Sequence, residues 1–194
     1  MMIRGARRSL NGHEKCGDAF AWWDDDELWT ICLVDGLGHG SQAALAAEAA
    51  LAHAEANRSL PPGPLIEAID AGIQGTRGAA IAMVQVDALR RSLSYFGVGN
   101  VRAALFGDKA LRFDGTPGIV GTGCRSPRAD SVPWRDGDFL LVWTDGFDAY
   151  FNLDQTSLRL KGDPEALAQR LLDQFSTGRD DAGIVCCLLE GVGS

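Results

Sequence analysis

Two apolar, aromatic and β-branched runs, residues 19–23 and 28–34, flank the polar stretch Asp24-Asp25-Asp26-Glu27. Strand, polar tip and strand in that order predict a hairpin. Turn chemistry accounts for the acidic tip, because aspartate tolerates turn backbone and bonds nearby amides. Over residues 41–57 alanine dominates, with Ala43, Ala44, Ala46, Ala47 and Ala50 among them. Alanine has the highest helix propensity, and its small side chain lets a helix lie close to a sheet. Pro61-Pro62-Gly63-Pro64 ends that helix, and a shorter one is expected over residues 65–74.

Beyond Gly75-Thr76-Arg77-Gly78 the period changes. Residues 79–86, 92–98, 101–106 and 110–113 are short apolar runs separated by turn residues, which reads as an antiparallel meander. Residues 139–143 form another strand, ending in Thr144-Asp145-Gly146-Phe147. Residues 164–175 have helical spacing, with Leu167, Leu171 and Leu172 on one face and Pro164 in the first turn. A last strand is expected over residues 183–189, after Arg179-Asp180-Asp181. No repeat or linker divides the chain, so one domain over residues 1–194 is expected. Strands grouped apart from helices indicate α+β, with antiparallel sheets and helices outside them.

Composition narrows the functions. The 194 residues are 46% hydrophobic and 23% charged, ordinary for a folded protein with a substantial core. A net charge of -8 opposes nonspecific nucleic-acid binding, since phosphates are repelled overall. The cysteines Cys16, Cys32, Cys124, Cys186 and Cys187 are odd in number, without a CxxC pair, and three of them lie in apolar runs. Buried free thiols in a reducing compartment explain this better than disulfides. Three scattered histidines, His13, His39 and His53, offer no zinc-ligand spacing. The basic N-terminus lacks a following apolar segment, and no run is long enough to span a bilayer. The expectation is a cytoplasmic protein with neither nucleic-acid nor membrane partners.

The chemistry concentrates at Ile31-Cys32-Leu33-Val34-Asp35-Gly36-Leu37-Gly38-His39-Gly40, where an apolar strand meets a carboxylate and a glycine loop before a helix. A dinucleotide cradle has that order of elements. The glycine spacing is not GxGxxG, an acid precedes the first glycine where it repels pyrophosphate, and strand–helix alternation is missing downstream. A metal site gains from repetition. Acid-plus-turn elements recur at strand boundaries: Gly17-Asp18, Asp35-Gly36, Asp145-Gly146 and Asp180-Asp181. Magnesium and manganese take carboxylates and water, and two such ions about 3.5–4 Å apart can activate a water against a phosphoryl group. One such acid alone caps a turn more often than it holds an ion.

Cys16-Gly17-Asp18-Ala19, Val34 to Gly40, Gly97-Val98-Gly99-Asn100, Gly137-Asp138-Phe139-Leu140, Thr144-Asp145-Gly146-Phe147 and Asp180-Asp181-Ala182 occur in order over about residues 10–190. Together they resemble the SpoIIE-like branch of the metal-dependent protein phosphatases (the protein phosphatase 2C superfamily), most of all its compact stand-alone RsbX type. The resemblance implies a four-layer α-β-β-α sandwich of two antiparallel sheets flanked by helices. It implies a serine/threonine phosphatase that uses two divalent cations, Mn2+ or Mg2+. Its partner would be a phosphorylated signalling protein, a stressosome component or STAS-type antagonist of an anti-anti-sigma switch. Asp35 matches the aspartate bridging the two ions, and the Gly36 carbonyl matches a backbone ligand. Asp145 and Asp180 match the remaining carboxylates, Asp18 an acid near the cluster, and Asp181 a residue behind it. His39 is a candidate for contact with the substrate phosphate.

Two departures stand out. Gly183 follows Ala182 where the family usually has Thr or Ser, so a hydroxyl is missing. No arginine matches the phosphate-binding arginine of eukaryotic relatives, with Arg7, Arg8 and Arg179 only candidates. The alternative is a catalytically weak or inactive binding module of a sigma-factor regulatory pathway. Retention of the carboxylates counts against it, since an idle acidic cluster repels itself.

Overall fold

The computed structural model describes residues 1–12, 15–125, 127–148 and 162–191. Strand β1 (Met2–Arg8) leads through a short turn to the hairpin β2 (Asp18–Asp25) and β3 (Leu28–Gly36). Helices α1 (Ser41–Asn57) and α2 (Pro62–Gly72) follow. Next come β4 (Ala79–Asp87), β5 (Ser92–Val98), β6 (Arg102–Phe106), β7 (Ala110–Asp114), β8 (Asp130–Pro133) and β9 (Phe139–Trp143). Helix α3 (Pro164–Phe175) and β10 (Ala182–Leu188) complete the order.

Among the described residues the strands form two five-stranded sheets, β1-β10-β9-β6-β7 and β2-β3-β4-β5-β8, antiparallel throughout. Alternation along each strand assigns its side chains to layers. On β3, Ile31 and Leu33 enter the core between the sheets, where they join Val84, Leu140, Val142 and Val185. Cys32 and Val34 face the other way, toward Ala47 and Ala50 of α1 and Leu65 and Ile69 of α2. On the first sheet Leu141, Ile184 and Cys186 meet Leu167 and Leu171 of α3. The result is the expected α-β-β-α sandwich. Central strands with both faces covered are apolar at nearly every position, which is why β9, β10 and the first six residues of β4 are so legible in sequence.

Four details correct the sequence reading. The runs at residues 79–113 are not one meander: β4–β5 belongs to one sheet and β6–β7 to the other. Gly99, at φ 94°, takes the chain across between them. The hairpin strands extend into the acidic stretch, with Asp25 opposite Leu28 and only Asp26 and Glu27 at the tip, at φ 47° and 73°. Asp25 is held by Arg58, whose Nε and Nη2 donate at 2.6 and 2.8 Å. Helix α2 begins at Pro62 instead of residue 65, because the first helical turn has no use for the missing proline N–H. Finally, β1 and β8 were not anticipated. Both lie at sheet edges, and β1 buries only Ile3 among basic and small residues.

Candidate metal and phosphate site

Asp18 opens β2, and Asp35 is the penultimate residue of β3. The register pairs them directly. Directly opposed residues of antiparallel strands project to the same face, about 4.5–5.5 Å apart at Cβ, where like charges destabilise. The fold therefore holds two carboxylates side by side at one end of the sandwich.

Asp18 is buried, and its Oδ2 accepts from Thr144 Oγ1 at 2.7 Å. Its Oδ1 is buried with no hydrogen-bond partner. Burial raises the Asp18 pKa; Asp181, Asp145 and Asp180 push the same way, and Thr144 opposes. Asp35 is raised too, by burial first and then by Asp18, Asp145, Asp180 and Asp181. Asp145, on the loop after β9, lies at the solvent-facing rim and accepts from Asn100 Nδ2 at 2.6 Å. Desolvation by the surrounding walls raises its pKa, followed by Asp180. Asp180 is half-buried before β10, and its Oδ1 accepts from the Asp181 amide at 2.8 Å.

Asp181 does different work. It is buried, and its two oxygens accept from the amides of Leu10 and Gly17, each at 2.7 Å. One carboxylate thus ties the approach to β10 onto the segment before β2. Gly36 and Gly146 permit the same convergence. A Cβ on Gly36 would stand 2.1 Å from the Ala43 carbonyl oxygen of α1, and one on Gly146 would stand 2.0 Å from that of Asp181. Glycine is thus required at both positions by close backbone approach.

Thr144 and Asn100 are not among the site residues expected from sequence, and Arg7 is there only a candidate for the phosphate. Thr144 also accepts from the Gly183 amide at 3.0 Å, so a hydroxyl reaches the cluster from β9 instead of from the residue after Ala182. Arg7 donates to the Asp18 carbonyl at 2.8 Å, whereas Arg8 pairs with Asp173 and Ser176 on the α3 side. An aspartate-rich strand end is visible in sequence, but the partner that fixes each aspartate comes from remote segments. His39 is exposed on the glycine loop. A cleft of about 590 Å³ opens beside the carboxylates, lined by Asp145, Phe147, Asp148, Thr177, Arg179 and Asp180.

Among the described residues no three His, Cys, Asp or Glu side chains stand close enough together to hold a metal ion as they are placed. The donor set nevertheless suits a hard divalent cation. Its polar atoms are carboxylate oxygens, one of them, Asp18 Oδ1, buried and without a hydrogen-bond partner, and the neighbouring carboxylates repel one another.

Residues 25–189 match a family model described as stage II sporulation protein E (SpoIIE). The chain is 26% identical over 172 residues to the phosphoserine phosphatase RsbX of Bacillus subtilis (strain 168), covering 88% of this chain and 85% of that protein. RsbX solved in complex with magnesium superposes with a TM-score of 0.80 at 23% identity, over 97% of this chain and 94% of that one. A chain from a structure of "the bacterial stressosome: a modular system that has been adapted to control secondary messenger signaling" superposes with a TM-score of 0.88 at 24% identity, over 95% of this chain and 97% of that one.

Proposed function

The chain belongs to the SpoIIE family, and we propose that it is a metal-dependent phosphatase removing phosphate from serine or threonine of a bacterial signalling protein. The observation that carries this reading is the direct pairing of Asp18 with Asp35, a buried carboxylate beside a half-buried one, with one oxygen of Asp18 unsatisfied. Such an arrangement is costly unless a cation completes it.

Asp35 and the Gly36 carbonyl would hold ions jointly, with Asp145, Asp180 and Asp18 completing the oxygen set. Mn2+ and Mg2+ are the cations of choice for such donors, and similarity to an RsbX solved with magnesium supports this. When bound, two such ions make water acidic enough to attack phosphorus near neutral pH and neutralise charge on the phosphoryl oxygens. The side chains supply position. Thr144 fixes Asp18, Asn100 fixes Asp145, and Asp181 fixes the two segments on which Asp18 and Asp180 sit. No side chain is needed as a covalent nucleophile. His39 would meet the substrate from the exposed loop.

Two relatives support this substrate class: a phosphoserine phosphatase and a chain from a stressosome structure are among those similar to this one. A stressosome or partner-switching protein of STAS type is therefore the proposed partner. The binding-module alternative loses its sequence hint, because Thr144 supplies a hydroxyl to the cluster. Calorimetric titration separates the two: manganese binding is expected, and its absence near millimolar concentration would favour the module.

A further inference from the structure

We propose that Arg77 grips the phosphoryl oxygens of the substrate, an inference that rests on the phosphatase reading above. Arg77 lies outside the motifs that mark the site, in the turn between α2 and β4. Its placement is nonetheless fixed from both sides. Thr76 Oγ1 donates to the Ile73 carbonyl at 2.7 Å and accepts from the Gly78 amide at 3.0 Å. The Gly78 carbonyl then accepts from the Leu37 amide at 3.0 Å, two residues beyond Asp35. The turn carrying Arg77 is thereby stitched to the glycine loop that follows Asp35.

The side chain completes the contact. Nη1 of Arg77 stands 2.9 Å from where a Cβ on Gly38 would be, and Gly38 has φ 84°. The absence of a side chain at residue 38 is what leaves room for the guanidinium over the loop. The group is exposed and, among the described residues, makes no ion pair or hydrogen bond. Several other arginines of this acidic chain are paired, as Arg58 is with Asp25 and Arg91 with Asp136. A guanidinium presents a planar fork of donors that matches phosphate oxygens, and it cannot lose its charge. Arg179 reaches the cleft from the loop before β10, on the other sheet. A phosphoryl group between the sheet ends would thus meet an arginine from each side, and Arg77 is the one anchored to the Asp35 loop.

The test uses the full chain with saturating manganese, p-nitrophenyl phosphate as substrate and inorganic phosphate as competitive inhibitor. In Arg77→Ala, KM and the inhibition constant are both expected to rise about ten-fold. The kcat should change less, and Arg77→Lys should recover part of the loss. Manganese affinity by calorimetry and the melting temperature should stay at wild-type values. Unchanged KM and inhibition constant in Arg77→Ala overturn the proposal. A fall in manganese affinity in step with the rise in KM also overturns it, because Arg77 would then only shape the loop. A wild-type protein that hydrolyses no phosphoester would refute the phosphatase reading itself, a result distinct from either.

Discussion

Thr144 Oγ1 donates to Asp18 Oδ2 at 2.7 Å while accepting from the Gly183 amide at 3.0 Å. One buried hydroxyl thus joins the end of β9 and the start of β10, in one sheet, to the first residue of β2, in the other. Replacing Thr144 by Val keeps the shape and leaves a buried carboxylate oxygen and a buried amide unsatisfied. The expected cost is about 1–3 kcal/mol of stability. Manganese affinity should fall as well, since Asp18 loses its fixed orientation. Denaturant unfolding and calorimetry measure the two effects separately.

The raised carboxylates make a statement about pH. Asp18 and Asp35 have folded-state pKa values above the unfolded value of 3.8, through burial and the neighbouring aspartates. Groups of that kind bind protons more tightly in the folded protein. Their contribution is fully present below the unfolded pKa and is lost as pH rises through the folded values. In chelator, the melting temperature should therefore fall between pH 5 and pH 8 more steeply for the wild type than for Asp35→Asn. Each kcal/mol of relieved repulsion is worth about 2–4 °C in a chain of this size. Identical pH profiles for the two proteins would contradict the coupling of these acids.

Gly146→Ala is a steric test of how the segments meet. Its Cβ would lie 2.0 Å from the Asp181 carbonyl oxygen and 2.8 Å from Ala182 Cα, both backbone. Backbone must move, at a cost of about 1–3 kcal/mol. Because Asp145 precedes Gly146 and Asp180 precedes Asp181, phosphate release should drop more than stability does. Thermal melts alongside activity assays would show the difference.

Asp70 offers a prediction away from the carboxylate cluster. From α2 it accepts the amides of Gly121 and Cys124 at 2.7 and 3.1 Å, and that of Gly123 at 3.1 Å. Burial opposes its ionisation. The Cys124 and Gly121 amides, the Cys124 thiol and the Gly123 amide outweigh that and hold it below the usual carboxylate range. That loop packs on Gly78, whose carbonyl anchors Leu37. Asp70→Ala should cost about 1–3 kcal/mol, with stability lost on acidification in the wild type as pH drops through the lowered pKa. Hydrogen exchange should report faster opening at Gly121, Gly123 and Cys124.

The sequence showed the layers of this fold because central strands such as β9 and β10 are apolar at every position, and α3 carries Leu167, Leu171 and Leu172 on one face. Edge strands are half exposed, so β1, rich in arginine, was not apparent. The same divide runs through the site. Asp18, Asp35, Asp145 and Asp180 sit at strand ends with glycine neighbours, a local pattern that can be read directly. The anchoring of Asp18 by Thr144 spans 126 positions and that of Gly17 by Asp181 spans 164. No periodicity records contacts of that length. Arg77 is invisible for the same reason, because its neighbour Gly38 becomes adjacent only when the Gly78–Leu37 bond forms.

In the proposed function, these paired aspartates hold divalent cations that drive phosphoester hydrolysis. The most direct measurement is phosphate release from a serine-phosphorylated STAS-type protein by the wild type and by Asp35→Ala, with manganese and with chelator. Circular dichroism would verify that both proteins are folded. Release is expected from the wild type only with the metal present, with a fall of at least about 100-fold in Asp35→Ala. Undiminished manganese-stimulated release by Asp35→Ala, or release by the wild type in chelator, would contradict that function.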